Sequence, residues 1–92
     1  MFSELVFIRW ENTTLPHCKF YEVEVELSLF YPKILVRRWG RIGTRRPRFI
    51  RMVMADAEEL RQEVKRIARR RERHGYHAVG EIHTPAIRAS AA

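Results

Sequence analysis

From Lys19 to Leu29 the chain alternates with period two. Tyr21, Val23, Val25, Leu27 and Leu29 fall on one side, and Phe20, Glu22, Glu24, Glu26 and Ser28 on the other. Successive side chains of a strand point to opposite faces, so this run predicts a half-buried β-strand with one apolar and one acidic face. The neighbouring segments supply partners. Leu5 to Trp10 is short, apolar and rich in β-branched and aromatic residues, hence strand-like. Glu11 to Pro16 is turn-rich, and Pro16 discourages a helix there. Phe30-Tyr31-Pro32-Lys33 turns the chain into a third strand, Ile34 to Ile42, and Thr44 to Pro47 turns it into a fourth, Arg48 to Met54. Strands joined by short turns predict an antiparallel meander, which buries one face and leaves the other wet.

At Ala55 the period changes. Asp56 is placed to cap a helix, with Glu59 three residues on in a capping-box position. Ala57, Leu60, Val64, Ile67, Ala68 and Arg71 then follow the three-four spacing of one helical face. Acidic residues come early and basic ones late, as the helix dipole favours, and Gly75 supplies a stop. A helix laid across one sheet face gives a two-layer α+β domain of four to five strands. Tyr76 to Ile82 reads either as a short further strand or as a packed loop. Ninety-two residues hold one core, expected over residues 1–82, with His83 to Ala92 as a tail.

The charge is lopsided. Eighteen Lys and Arg face eleven Asp and Glu, a formal net charge of +7, and from Leu27 to Ala55 there are eight basic residues and no acidic one. Self-repulsion of that size points to an anionic partner, with nucleic acid first, then an acidic protein surface or an anionic membrane. Cys18 is the one cysteine, which fits a reducing interior and excludes an intrachain disulfide. The N-terminus does not read as a signal peptide, and no apolar run approaches the ~20 residues that span a bilayer. The expectation is a soluble, cytoplasmic protein.

Within the basic stretch lies Arg37-Arg38-Trp39-Gly40-Arg41-Ile42-Gly43-Thr44-Arg45-Arg46-Pro47-Arg48. Guanidinium forks match phosphate oxygens two at a time, and an aromatic face stacks on a nucleotide. Regular alternation puts Ile34, Val36, Gly40 and Ile42 on one face of the third strand, with Leu35, Arg37, Trp39 and Arg41 on the other. The first set, being mostly apolar, is expected under the helix, which would stand Trp39 among arginines on the open face. The competing reading is a core tryptophan; Leu35 on the same side supports it, while Arg37 and Arg41 favour exposure. Gly40, lacking a side chain, would let another surface approach the strand.

Trp39-Gly40-Arg41-Ile42-Gly43 resembles the signature of the WGR domain family. Lys19-Phe20-Tyr21 is similar to the lysine-aromatic-tyrosine element that the family carries before its long second strand. The capped helix ending in a basic segment and Gly75-Tyr76 is similar to bacterial members. The resemblance runs from about Leu5 to Tyr76 and implies a curved antiparallel sheet with one helix packed across it. In the DNA-dependent poly(ADP-ribose) polymerases this domain contacts DNA near a break. The resemblance implies that Trp39 packs against the sugar of a terminal nucleotide, Arg41 organises the site, and Lys19 contacts phosphate. It carries no ADP-ribose transfer, which belongs to a separate catalytic domain. Two departures stand out. Cys18 occupies a position where the family often has asparagine, and Thr44-Arg45-Arg46-Pro47 lacks the glycine usual in the turn after the motif. Because arginine adopts positive φ less readily, a turn of different shape is expected, with added charge suited to phosphate.

Other constellations carry less. His74 and His77 have no cysteine or carboxylate to complete a metal set, and nothing resembles a nucleophile elbow, a phosphate-binding loop or a triad. No cofactor or metal is expected. Glu22, Glu24 and Glu26 read as a solvated stripe or as partners for arginines of the adjacent strand. Lys65 to Arg73 reads as a solvated helix end that complements the dipole, or as an extension of a nucleic-acid footprint. Its apolar residues are committed to the sheet, leaving few to insert into a membrane. The combined expectation is a non-catalytic DNA-binding domain, preferring ends or nicks, with Trp39, Arg41, Lys19, Arg37, Arg45, Arg46 and Arg48 as its contact residues. Base readout is not expected, since no helix presents Asn, Gln and Arg to a groove. The alternative is a protein-interaction module that recruits or regulates a DNA-processing enzyme, because an Arg-Trp-Arg surface is rich in hot-spot residue types.

Overall fold

The computed structural model describes residues 4–26 and 28–84. Its elements are β1 (Glu4–Asn12), β2 (Lys19–Val25), β3 (Lys33–Arg41), β4 (Arg48–Met54), α1 (Ala57–Arg73) and β5 (His77–Thr84). The strands form one antiparallel sheet in the order β4-β3-β2-β1-β5. The first four make the expected meander. The segment read as strand or loop is a strand, it takes in His83 and Thr84, and it pairs with β1, so α1 carries the chain from one sheet edge to the other. Leu27 and residues 85–92 of the expected tail lie outside the described residues.

Register decides which face is buried. Tyr21, Val23 and Val25 of β2 stand opposite Trp39, Arg37 and Leu35 of β3, while Tyr21 and Val23 also stand opposite Trp10 and Ile8 of β1. The apolar set of β2 therefore recruits the odd-numbered residues of β3 to its own side. Ile8, Trp10, Tyr21, Val23, Val25, Leu35 and Met54 form the core with Leu60 and Ile67 of α1; Val64, Ala68 and Trp39 pack against it. This corrects the expected orientation of β3. The helix covers the side carrying Leu35, Arg37 and Trp39, and Trp39 is half-buried at the border of the core rather than standing on the opposite open face.

The opposite face carries the acidic stripe, and its glutamates are paired. Arg38 bridges Glu22 and Glu24, Arg9 reaches Glu22 at 2.5 Å and Glu11 at 2.9 Å, and Arg51 meets Glu26 at 3.0 Å. Burial works against the charge on Arg9 and is the largest single influence. The hydrogen bonds to Glu11 and Glu22 outweigh it and raise the pKa of the guanidinium above its ordinary value. Arg9 also lies over the ring of Phe20, 4.4 Å from its centroid.

Strand β2 ends at Val25, short of the expected Leu29. Ser28 Oγ accepts from Phe30 N–H and donates to Phe30 O, a local alternative to the ladder, and Leu29 is 77% exposed rather than part of the apolar face.

Both helix ends are closed. Glu59 N–H donates to Asp56 Oδ1 at 2.8 Å, and Ala55 N–H donates to Glu59 Oε1 at 2.6 Å. At the far end Gly75 N–H donates to Glu72 O and Tyr76 N–H to Arg71 O, with Gly75 at φ +84°, the pattern of a Schellman motif. Buried Asn12 ties this end to β1 by donating to His74 O at 3.1 Å, and its Oδ1 accepts from Thr14 N–H. Among the described residues no helix is long and apolar enough to cross a membrane.

A Cβ at position 75 would lie 3.1 Å from Asn12 Nδ2 and would have to adopt a left-handed backbone. Gly75→Ala is therefore expected to lower unfolding free energy by about 1–2 kcal/mol, read by urea denaturation. Wild-type stability in that variant would contradict this account of the helix end.

Candidate nucleic-acid interface

Hairpin pairing brings together residues far apart in sequence. Lys19, the first residue of β2, stands opposite Arg41, the last of β3, and Trp39 has Tyr21 on one side and Arg48 of β4 on the other. Beyond this the backbone closes with Ile42 N–H donating to Cys18 O at 2.9 Å and Thr44 N–H to Arg41 O at 3.0 Å. The Cys18 contact is made by its carbonyl, so asparagine is not needed for it.

The turn from β3 to β4 takes its one positive φ at Gly43, +93°. Arg46 N–H donates to Thr44 Oγ1 at 3.3 Å, and no non-glycine residue among those described has positive φ. Thr44-Arg45-Arg46-Pro47 thus closes without strain. It also folds back over the strand: a Cβ on Gly40 would lie 3.2 Å from Thr44 Cγ2 and 3.8 Å from Pro47 Cα. On the side where a side chain would project, Gly40 is covered by the protein's own turn and by Phe20, whose Cε1 would lie 3.7 Å away.

The result is an open pocket of about 390 Å³ lined by Lys19, Trp39, Gly40, Arg41, Thr44, Arg46, Pro47, Arg48 and Tyr76. That volume falls within the range of roughly 300–1,000 Å³ for ligand clefts. Five of the seven residues expected at the site line it. Arg45 is exposed but does not line it, and Arg37 is turned inward, donating from Nε to Tyr21 Oη at 2.5 Å and lying 4.0 Å from Glu63. Lys19, Arg41, Arg46 and Arg48 form no ion pair among the described residues. Four uncompensated cations around half a tryptophan ring make an anion-attracting field beside an apolar plane.

Behind the pocket stands an aromatic and guanidinium column that the sequence reading did not single out. Trp39 stacks on Tyr21 with centroids 5.8 Å apart and planes 13° from parallel; Trp10 meets Tyr21 edge-on at 6.3 Å. Arg71 lies 4.3 Å from the Tyr21 centroid and 5.1 Å from that of Tyr76. Its buried Nε has no hydrogen-bond partner, so the guanidinium is held by ring faces. The available signal for Tyr76 was its place one residue after the helix-stopping glycine, which returns the chain to the sheet beside Lys19 and Arg41. Arg71 carried the signal of helical spacing, a charged residue on an otherwise apolar face.

Fold and pocket together define a small two-layer α+β domain with a basic, aromatic cleft where β2, β3 and the helix exit meet. The sequence matches the WGR domain family over residues 6–82, and the chain belongs to that family. No curated protein and no solved structure matches it. Membership is consistent with a nucleic-acid-binding module.

Arg71→Ala removes the cation from between two rings and is expected to cost about 1–2 kcal/mol of stability. Arg71→Lys should recover less than half of that in chemical denaturation, because an ammonium cannot stack as a plane. Full recovery by lysine would show that charge alone, without stacking, holds the column.

Proposed function

We infer that this protein is a non-catalytic DNA-binding domain that engages an end or a nick. The observation carrying the reading is the half-buried Trp39 ring set in a pocket with Lys19, Arg41, Arg46 and Arg48, none of them neutralised. Arginine and lysine anchor phosphates, while the indole packs on a sugar or base. In continuous duplex the bases are stacked on one another, so a recessed ring is reached most readily where the strand is interrupted. The cationic and aromatic lining of the pocket supports a binding role. Contacts of this kind go to backbone and sugar, which makes affinity steeply salt-dependent and weakly sequence-dependent.

A second reading, a module that recruits or regulates a DNA-processing enzyme, draws on another surface. Strand β4 is a sheet edge, and its Phe49 and Val53 are 60% and 63% exposed. Exposed apolar residues on an unpaired edge suit a protein contact, which is compatible with DNA in the pocket.

Titration of labelled duplexes carrying a nick, a blunt 5′-phosphorylated end, or closed ends tests the DNA reading. Trp39→Ala is expected to weaken end and nick binding about 5- to 150-fold, the equivalent of about 1–3 kcal/mol for one aromatic contact. Lys19→Ala should make the plot of log affinity against log salt shallower by about one. Equal binding of closed and open duplexes by the wild type would remove the end preference, and absence of salt-sensitive binding would remove DNA altogether.

A further inference from the structure

The last turns of α1 hold a second group of cations whose role neither the fold nor the pocket explains. Of the basic residues between Arg61 and Arg73, Arg61 is paired with Glu58, Arg66 with Glu63, and Arg71 is stacked on Tyr21 and Tyr76. Gln62 first and Arg61 second hold the Glu58 carboxyl below its ordinary pKa, and Glu63 raises that of Arg66, so both pairs favour their charged forms. Arg69, Arg70 and Arg73, and Lys65 one turn earlier, are exposed and form no ion pair among the described residues.

Capping does not account for these three arginines. The carbonyls of Arg70, Arg71 and Glu72 already accept backbone N–H groups from His74, Gly75 and Tyr76. The dipole alone favours a cation here by only about 0.3–1 kcal/mol each, and Arg71 is there as well.

All three lie at the C-terminal end of α1, and one of them lies on the flank toward β3. Glu63 faces Arg37 of β3, and Arg70 lies seven residues on, two turns further along the same flank. Arg73 follows Arg70 by three and Arg69 by four, so the three form one patch on the outer and β3-facing sides of the helix end. Arg71 touches Tyr76, and Tyr76 lines the pocket. Through Arg71 and Tyr76 the helix end adjoins the cleft, and exposed Glu72 is the one carboxylate in its last turn.

We propose that Arg69, Arg70 and Arg73 form a second phosphate-binding strip, which holds the backbone of a DNA duplex whose terminus occupies the Trp39 pocket. Charge complementarity selects the occupant. A polyanion with regularly spaced phosphates can satisfy exposed guanidinium groups beside a pocket already lined by three more and the ammonium of Lys19, and each contact releases condensed counterions. The strip rests on the nucleic-acid reading of the pocket for its partner, while its own residues lie outside the pocket. It adds affinity for duplex without adding sequence preference.

The test compares three proteins, each shown to be folded by circular dichroism: wild type, R69A/R70A/R73A, and the charge-matched control R51A/R61A/R66A, which removes three paired cations. Each is titrated with a blunt 5′-phosphorylated duplex and with a 5′-phosphorylated dinucleotide across a range of salt. For R69A/R70A/R73A the plot of log affinity against log salt for duplex should become shallower by about 2 to 3, with at least about a tenfold loss of affinity at low salt. Dinucleotide binding should stay at the wild-type level, and the control should keep most of the wild-type slope. A wild-type slope in R69A/R70A/R73A would overturn the strip, and so would equal flattening in the control. If Trp39→Ala leaves end binding intact while R69A/R70A/R73A still flattens the duplex slope, the strip stands and the pocket reading fails.

Discussion

Tyr21 joins the parts of this molecule that the rest depends on. From the middle of the sheet its ring stacks on Trp39 of β3, receives Trp10 of β1 edge-on, carries the guanidinium of Arg71 from α1, and its hydroxyl accepts from Arg37. One buried ring thus couples three strands and the helix. An aromatic packed on both sides has few rotamers left, so Trp39, which stacks on it, is held where it meets the pocket. The same contacts place the helix end, and through it Tyr76, on the other wall. Core and cleft are built from one column.

Charge partition is the second organising fact. A chain this basic could have spread its carboxylates evenly, but they are concentrated. Glu11, Glu22, Glu24 and Glu26 are paired with Arg9, Arg38 and Arg51 on the face away from the helix, and Glu58 and Glu63 with Arg61, Arg66 and Arg37 along the helix. Among the described residues, the cations outside these pairs gather around Trp39 and along the later half of α1. The fully exposed pairs among them, Arg51–Glu26 and Arg61–Glu58, contribute little to stability, and the pairing as a whole determines where the positive field is left open.

Much of this was legible in the residues. The switch from period two to three-four spacing located the helix, and Asp56, Glu59 and Gly75 marked its ends because caps need those side chains and that backbone freedom. The facing of β3 was not legible from that strand alone, since Ile34 and Val36 compete with Leu35 as its apolar set. Pairing decides it: Tyr21, Val23 and Val25 bring Trp39, Arg37 and Leu35 to their side. Arg37 was misplaced for the same reason. A guanidinium beside a core tyrosine has an internal partner, which an arginine on an open face would lack. Tyr76 and Arg71 were hidden because their role arises only when the helix exit folds back on the sheet.

The central claim is that Trp39 itself meets the nucleic acid where the strand is broken. Trp10 is buried and Trp39 half-buried, so their indole N–H signals in heteronuclear NMR report separately on core and pocket. Addition of nicked or blunt 5′-phosphorylated duplex should shift the Trp39 signal strongly from the first increments and leave Trp10 near its place, while closed-ended duplex should leave both nearly unmoved. A Trp39 signal that stays fixed while backbone signals elsewhere report saturating binding would contradict the account.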